Sequence, residues 1–405
     1  MEEPQHRQVR TRRVFYIPGY DPIHPRRYRE LYRKEGAAQA GISDYEIALS
    51  PKKADGGPYG WHVTGHIEGQ ETQSDVEVLV WSDIVRDSME QGIVSTYGQL
   101  LRTAWTYIGS GALWRLMQLR KGPVIAALYP VVFLLVQLLL ALLVAWGIGK
   151  GLAMVLPEWT AVFGLIVVLP ILQWFQKHDG KFFAYYLMHD YAYSASTKGA
   201  NPPELEARMG EFADRIAEAL KSDCDEVLVV GHSSGAHLAV SVLADLIRNG
   251  RVPEDGLALG FLSLGQVVPM VSFLPKAERL RADLEYLCQR TELAWVDVTA
   301  PGDGCAFALC DPVAVSGVAP EEGKRWPLVF SAAFTQTLSE ERWAELRWRF
   351  FRLHFQYLCA FDRPRDYDYF RITAGPKTLE ERYEGRRASG SRIEKPVNKF
   401  TSVAS

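Results

Sequence analysis

The sequence predicts an α/β fold, a mostly parallel sheet with helices on both faces, interrupted by a two-helix transmembrane hairpin. Three observations predict it. Short runs of β-branched and aliphatic residues, at 14–17, 76–81 and 226–230, alternate with segments of helical apolar spacing. The run at 226–230 leads into Gly231-His232-Ser233-Ser234-Gly235 and then a helix-friendly stretch at 236–247. Two long stretches, 122–149 and 152–175, carry only two charged residues in or between them besides their flanks, Lys150 and Glu158.

The expected organisation is a flexible lead at 1–13, a first part of the core at 14–120, the hairpin at 121–177, a second part at 178–375 and a mobile polar tail at 376–405. Length alone, 405 residues, leaves room for two or three domains. A net charge of −3 gives no electrostatic case for a nucleic-acid partner. The five cysteines show no metal spacing and an odd total, so they read as reduced thiols of a cytosolic compartment. The N-terminus, Met1-Glu2-Glu3-Pro4, lacks the apolar core of a signal peptide. No metal or cofactor is expected.

In chain order, 14–17 reads as a buried strand ended by Pro18-Gly19-Tyr20-Asp21, and 25–38 as a basic surface helix. Alternation at 45–49 and 61–67 predicts two strands joined by the Gly- and Lys-rich turn at 51–60. His62 and His66 fall on one face there, but no third ligand stands near for zinc. Residues 76–81 read as the next parallel strand and 85–120 as helical.

Then come the two apolar stretches, each long enough to cross the roughly 30 Å hydrocarbon layer. Arg115, Arg120 and Lys121 precede the pair and Lys177 and Lys181 follow it, while only Lys150 lies between. The positive-inside rule places both flanks in the cytoplasm, as for a bacterial-type inner membrane. The soluble halves can then join in one domain.

Beyond the hairpin, 182–196 is an aromatic helix that suits either the headgroup level or a wall over a site. Residues 203–220 form an amphipathic, core-facing helix. Strands are expected at 226–230, 256–264 and 293–299, with a helix at 275–290. The last strand runs into Ala300-Pro301-Gly302-Asp303-Gly304.

The pattern Gly231-x-Ser233-x-Gly235 between strand and helix carries chemistry. A serine on a sharp turn is lifted above the sheet, and side chains two before and two after would collide, so both places are Gly. The Ser234 N–H points to where an oxyanion would form, at the positive end of the following helix. This stretch resembles the nucleophile elbow of the α/β-hydrolase superfamily, in the Gly-His-Ser-x-Gly form of lipases and esterases. The resemblance implies further roles. Pro18-Gly19-Tyr20 resembles the loop that supplies a second oxyanion N–H, from Tyr20, although Pro18 stands where that family often has His. The family's chain order is Ser, then acid, then His. Only His237 and His354 follow Ser233, and His237 comes one helical turn after it, which leaves His354 as the base. Asp303, past the 293–299 strand, is the expected acid, with Asp297 and Asp311 as alternatives.

The resemblance thus implies a membrane-anchored serine hydrolase cleaving a carboxylic ester through an acyl-enzyme, on a small-molecule or lipid ester, with membrane lipids as neighbours. The alternative is a catalytically silent domain of the same kind that binds a ligand or a membrane partner.

Overall fold

Apolar residues on both sides of the central strands set the architecture. Strand β5 (Glu226–His232) is buried along its whole length, and β1 (Thr11–Ile17) over its last four residues. Strands with two buried faces belong to a parallel sheet covered by helices. The computed structural model, describing residues 8–52, 57–89, 92–253 and 257–403, contains such a sheet. Its eight strands run in the order β2-β3-β4-β1-β5-β6-β7-β8. The others are β2 (Glu46–Pro51), β3 (Gly60–Ile67), β4 (Gln70–Val78), β6 (Ala258–Leu264), β7 (Ala294–Thr299) and β8 (Leu328–Ser331). The pairs β2–β3 and β3–β4 are antiparallel, and every other pair is parallel.

Alternation along the strands divides the core in two. Phe15, Ile17, Val227 and Val229 face one layer, under the helices 203–220 and 235–248. Val14, Tyr16, Leu228 and Val230 face the other, under the first helix and an aromatic-rich C-terminal segment. The helices up to the elbow are α1 (Arg26–Ser43), α2 (Ser82–Met89), α3 (Ile93–Gly109), α4 (Ala112–Leu119), α5 (Lys121–Ala153), α6 (Val168–Lys177), α7 (Asp179–Phe182), α8 (Ala184–Ser196), α9 (Pro203–Leu220) and α10 (Gly235–Arg248).

The two apolar stretches form a helical hairpin. Its first leg is α5, 33 residues and about 50 Å long. The second is a 3₁₀ segment, Glu158–Val167, continuous with α6. Wound partly as 3₁₀, those 20 residues extend about 35 Å. Both legs are long and apolar enough to cross a membrane, and only about a fifth of each is buried. Small residues seat the legs together. A Cβ on Gly164 would strike the Ala145 carbonyl and come within 2.8 Å of the Gly149 nitrogen. The base of the hairpin is sheathed by α3 and α8, where Leu100, Tyr185 and Met188 pack on Leu134.

Three expectations need correction. The lead is ordered from Gln8 in the described region: Val9 is fully buried, its N–H donates to the Pro376 carbonyl at 2.8 Å, and residues 11–13 already belong to β1. The tail is not a mobile appendage over 376–403. Thr378 and Glu381 form a capping box, Leu379 and Val397 are buried, and Ile393 pairs with Cys310. Its polar composition misled because its backbone is what is held: the carbonyls of Lys377, Val397 and Ser402 accept from Arg12, Arg115 and Arg281. The 275–290 helix is shorter, Glu278–Leu287. The expected strand start at Gly256, the centre of the 51–60 turn, residues 1–7 and residues 404–405 lie outside the described residues.

Candidate active site

In an open parallel sheet a crevice forms beyond the carboxyl ends of adjacent strands whose connections leave in opposite directions. Here those strands are β1 and β5. From β1 the chain moves out to β2, β3 and β4, and from β5 it moves the other way through β6, β7 and β8. Ile17 pairs with Gly231, so Gly19-Tyr20 and Ser233-Ser234 leave the sheet side by side.

The elbow is as tight as its glycines suggest. Ser233 has φ of 55°, a left-handed conformation that a residue with a Cβ adopts only when its surroundings hold it there. Its N–H donates to the Leu264 carbonyl at 2.9 Å. A Cβ on Gly231 would lie 2.7 Å from the Ala236 Cα, and one on Gly235 would overlap the Ile17 carbonyl. A Cβ on Gly19 would sit 2.9 Å from that of Ser233. Two bonds pin this opposing loop: the Trp81 indole N–H donates to the Pro18 carbonyl at 2.9 Å, and the Tyr186 hydroxyl donates to the Tyr20 carbonyl. Among the described residues, neither the Tyr20 nor the Ser234 amide N–H is taken by an acceptor.

Asp303 and His354 meet across 51 residues of chain. The His354 Nδ1 lies 2.7 Å from the Asp303 Oδ2, and both side chains are buried. The acid is held on every side: the Tyr357 hydroxyl donates to the same oxygen at 3.0 Å, and the Cys305 N–H donates to Oδ1 at 2.9 Å. Burial alone would raise the Asp303 pKa. The neighbouring His354 ring and these donors outweigh it and hold the carboxyl below its usual range.

The two alternative acids are engaged elsewhere. Asp297 bonds the Ser263 hydroxyl at 2.6 Å, and burial pushes its pKa up to about 8. Asp311 caps a short helix through the Val313 and Ala314 amides and pairs with Lys324.

His232, inside the elbow, braces the imidazole. Its Nε2 donates to the His354 carbonyl at 3.0 Å, its Nδ1 lies 3.3 Å from the Tyr16 hydroxyl, and its ring lies 4.9 Å from that of His354. Burial drives its pKa down to about 3, which keeps it neutral. His237 does more than pack within α10. It lines the same cavity as Ser233, and its buried Nδ1 has no hydrogen-bond partner among the described residues.

Ser233, Ser234, Tyr20 and His354 all open on one cavity of about 90 Å³. The Ser233 hydroxyl forms no hydrogen bond to another described residue, so the serine and histidine share the cavity without being joined. Pro123, on the first turn of α5, forms part of its wall. Next to it, Gly122 abuts Gly304 in the loop that carries Asp303. The root of the hairpin therefore touches the site itself.

Asp303, Cys305 and His354 place potential metal-ligand atoms within 4.8 Å of one another, the one such cluster of three among the described residues. The donor set suits a cation poorly. Both Asp303 oxygens already accept hydrogen bonds, and burial, with the carboxylates of Asp303 and Asp190, pushes the Cys305 thiol well above its usual range. His62 and His66, on β3, are satisfied by Asp75, Gln73 and Glu71 of the neighbouring β4.

Sequence reasoning missed Tyr357 and Asp190. Tyr357 stands three residues after His354, a spacing that puts both on one side of a helical turn. Asp190 is the one acid in the aromatic run 182–196, and its position in the cavity comes only from tertiary closure. Comparison of the chain with protein-family models, curated proteins and solved structures finds no match.

Proposed function

We propose that the chain is a membrane-anchored serine hydrolase of α/β-hydrolase type that cleaves carboxylic esters through an acyl-enzyme. The observation that carries this reading is that His354, paired from behind by the buried Asp303, opens with Ser233 on a single cavity at the carboxyl end of the sheet. Ser233 would attack the substrate carbonyl. His354 would take the serine proton at Nε2, the nitrogen left by the Asp303 bond, and return it to the leaving alkoxide. Asp303, kept ionised, fixes the tautomer and stabilises the imidazolium. The Tyr20 and Ser234 N–H groups would receive the oxyanion. Water then repeats the sequence on the acyl-enzyme and releases the acid.

The hairpin supports an apolar acyl substrate. Its first turn walls the cavity, and two aromatics beside it, Phe183 against the lining Phe351 and Phe350 against Gly304, are 40% and 47% exposed. A substrate dissolved in the bilayer would reach the site without crossing water.

The unjoined Ser233 hydroxyl favours a second reading, a binding domain of hydrolase type without turnover. A fluorophosphonate probe separates the two, because it reacts only with an activated serine. The hydrolase reading expects covalent labelling of the full-length protein in detergent, lost in Ser233→Ala with folding intact. Labelling that persists in the variant, or an unlabelled wild-type protein, overturns it.

A further inference from the structure

The cavity beside Ser233 has a chemical sign. Neither it nor the smaller chamber next to it is lined by any Lys or Arg. Asp190, on α8, lines both, and its carboxylate makes no hydrogen bond to another described residue. The surroundings are aromatic. Tyr107, Tyr186 and Tyr191 line the main cavity, Trp81 and Tyr193 line the side chamber, and Tyr20 lines both. The last three rings cluster, with centroids 5.9 to 6.2 Å apart.

Asp190 is partly exposed to the cavity, and a carboxylate in an enclosed aromatic site is normally paired, since leaving it unpaired in low-dielectric surroundings is costly. Burial pushes the pKa of Asp190 up to about 7, against the opposing pull of His354. A cation beside it would restore its charge, and the faces of Tyr and Trp rings attract alkylammonium groups. The same surroundings repel a carboxylate or phosphate. The tyrosines stay neutral, because burial raises the pKa of each.

We propose that Asp190 and the aromatic walls around it form a subsite for an alkylammonium group of the substrate, within reach of Ser233. The proposal builds on the hydrolase reading for the reaction, but binding of the cation does not depend on the serine. The subsite selects esters that carry a positive charge near the scissile bond and excludes those with an anionic group there.

Three probes of one branched shape test it: tetramethylammonium, uncharged tert-butanol and anionic pivalate. Their binding to the full-length protein in nanodiscs is measured by saturation-transfer NMR, and again with Ser233→Ala. The expected order is tetramethylammonium tightest, by about tenfold or more, with pivalate weakest. Asp190→Asn should remove the advantage of the cation and leave tert-butanol unchanged. Equal binding of the three probes to the wild-type protein overturns the subsite, whether or not the Asn variant folds. A cation preference that survives in folded Asp190→Asn overturns the assignment to Asp190. Fluorophosphonate labelling of the same samples judges the hydrolase reading separately.

Discussion

Ser233 is held in a backbone conformation that costs on the order of 1–3 kcal/mol, and three glycines clear the space around it. Such strain persists because β1, β5 and α10 fix the turn from three directions. In the proposed hydrolase, the chemistry of the pair behind it depends on Asp303 remaining ionised. Asp303→Asn should keep the fold and lower kcat by about 10⁴-fold, since the amide favours the wrong tautomer of His354. His354→Ala should lose at least as much. Tyr357→Phe removes one of several donors to the acid and should cost only about tenfold. Stopped-assay kcat values on a p-nitrophenyl ester rank the three, and a full-rate Asp303→Asn enzyme would remove the acid from the mechanism. At this scale the sequence was legible where sterics alone decide. Gly231 and Gly235 could be read because a Cβ at either would collide with its neighbours, and the spacing then marks Ser233 between them. In the sequence Asp303 is preferred to Asp297 and Asp311 only for its loop position past a strand, because what separates the three is the partner each meets after folding.

Elements were legible where a single face or a continuous apolar run defines them. Every expected strand has a counterpart, although the one expected at 76–81 runs from Gln70 to Val78, and α9 buries the stripe its spacing displays. The C-terminal segment was not legible, because composition reports side chains, whereas arginines elsewhere hold that segment by its carbonyls. The hairpin lies between these cases. Its apolarity was plain, but the 3₁₀ winding of the second leg and its contact at Gly149 and Gly164 were not. Gly164→Leu should overpack that contact, cost about 1–3 kcal/mol and lower the unfolding midpoint in detergent by a few degrees. Gly147, whose Cβ would meet nothing within 4 Å, should tolerate the same change. If both variants melt alike, the legs do not pack at Gly164.

At the scale of the molecule, the sheet fixes topology more firmly than flanking charge does. Arg12 pairs in register with Glu226, and Ile17 with Gly231, so strands from before and after the hairpin are neighbours. Both soluble parts must lie on one side of whatever membrane the hairpin enters. Arg115 and Arg120, whose charge suggested the orientation, also donate to the Val397 and Ala308 carbonyls and help hold the domain together. With the native cysteines replaced, a cysteine at Lys150 should react with an impermeant reagent outside intact cells. Cysteines at Arg10 and Ser391 should react only after the membrane is opened. Labelling of Arg10 and Ser391 from opposite sides would contradict the sheet itself.

The central place of β1 has a consequence for synthesis. Among the described strands it leaves the ribosome before the other seven, and it can pair with β4 within some 80 residues of chain. Its other edge must wait for β5, more than 200 residues later, with the whole hairpin to be made in between. Until then a row of unpaired amides and carbonyls stands open beside apolar side chains, a template for pairing with other chains. Non-local pairing of this kind is slow. Nascent chains stalled before residue 226 should therefore be aggregation-prone and protease-sensitive, and insertion of the hairpin becomes a timed step in closing the site.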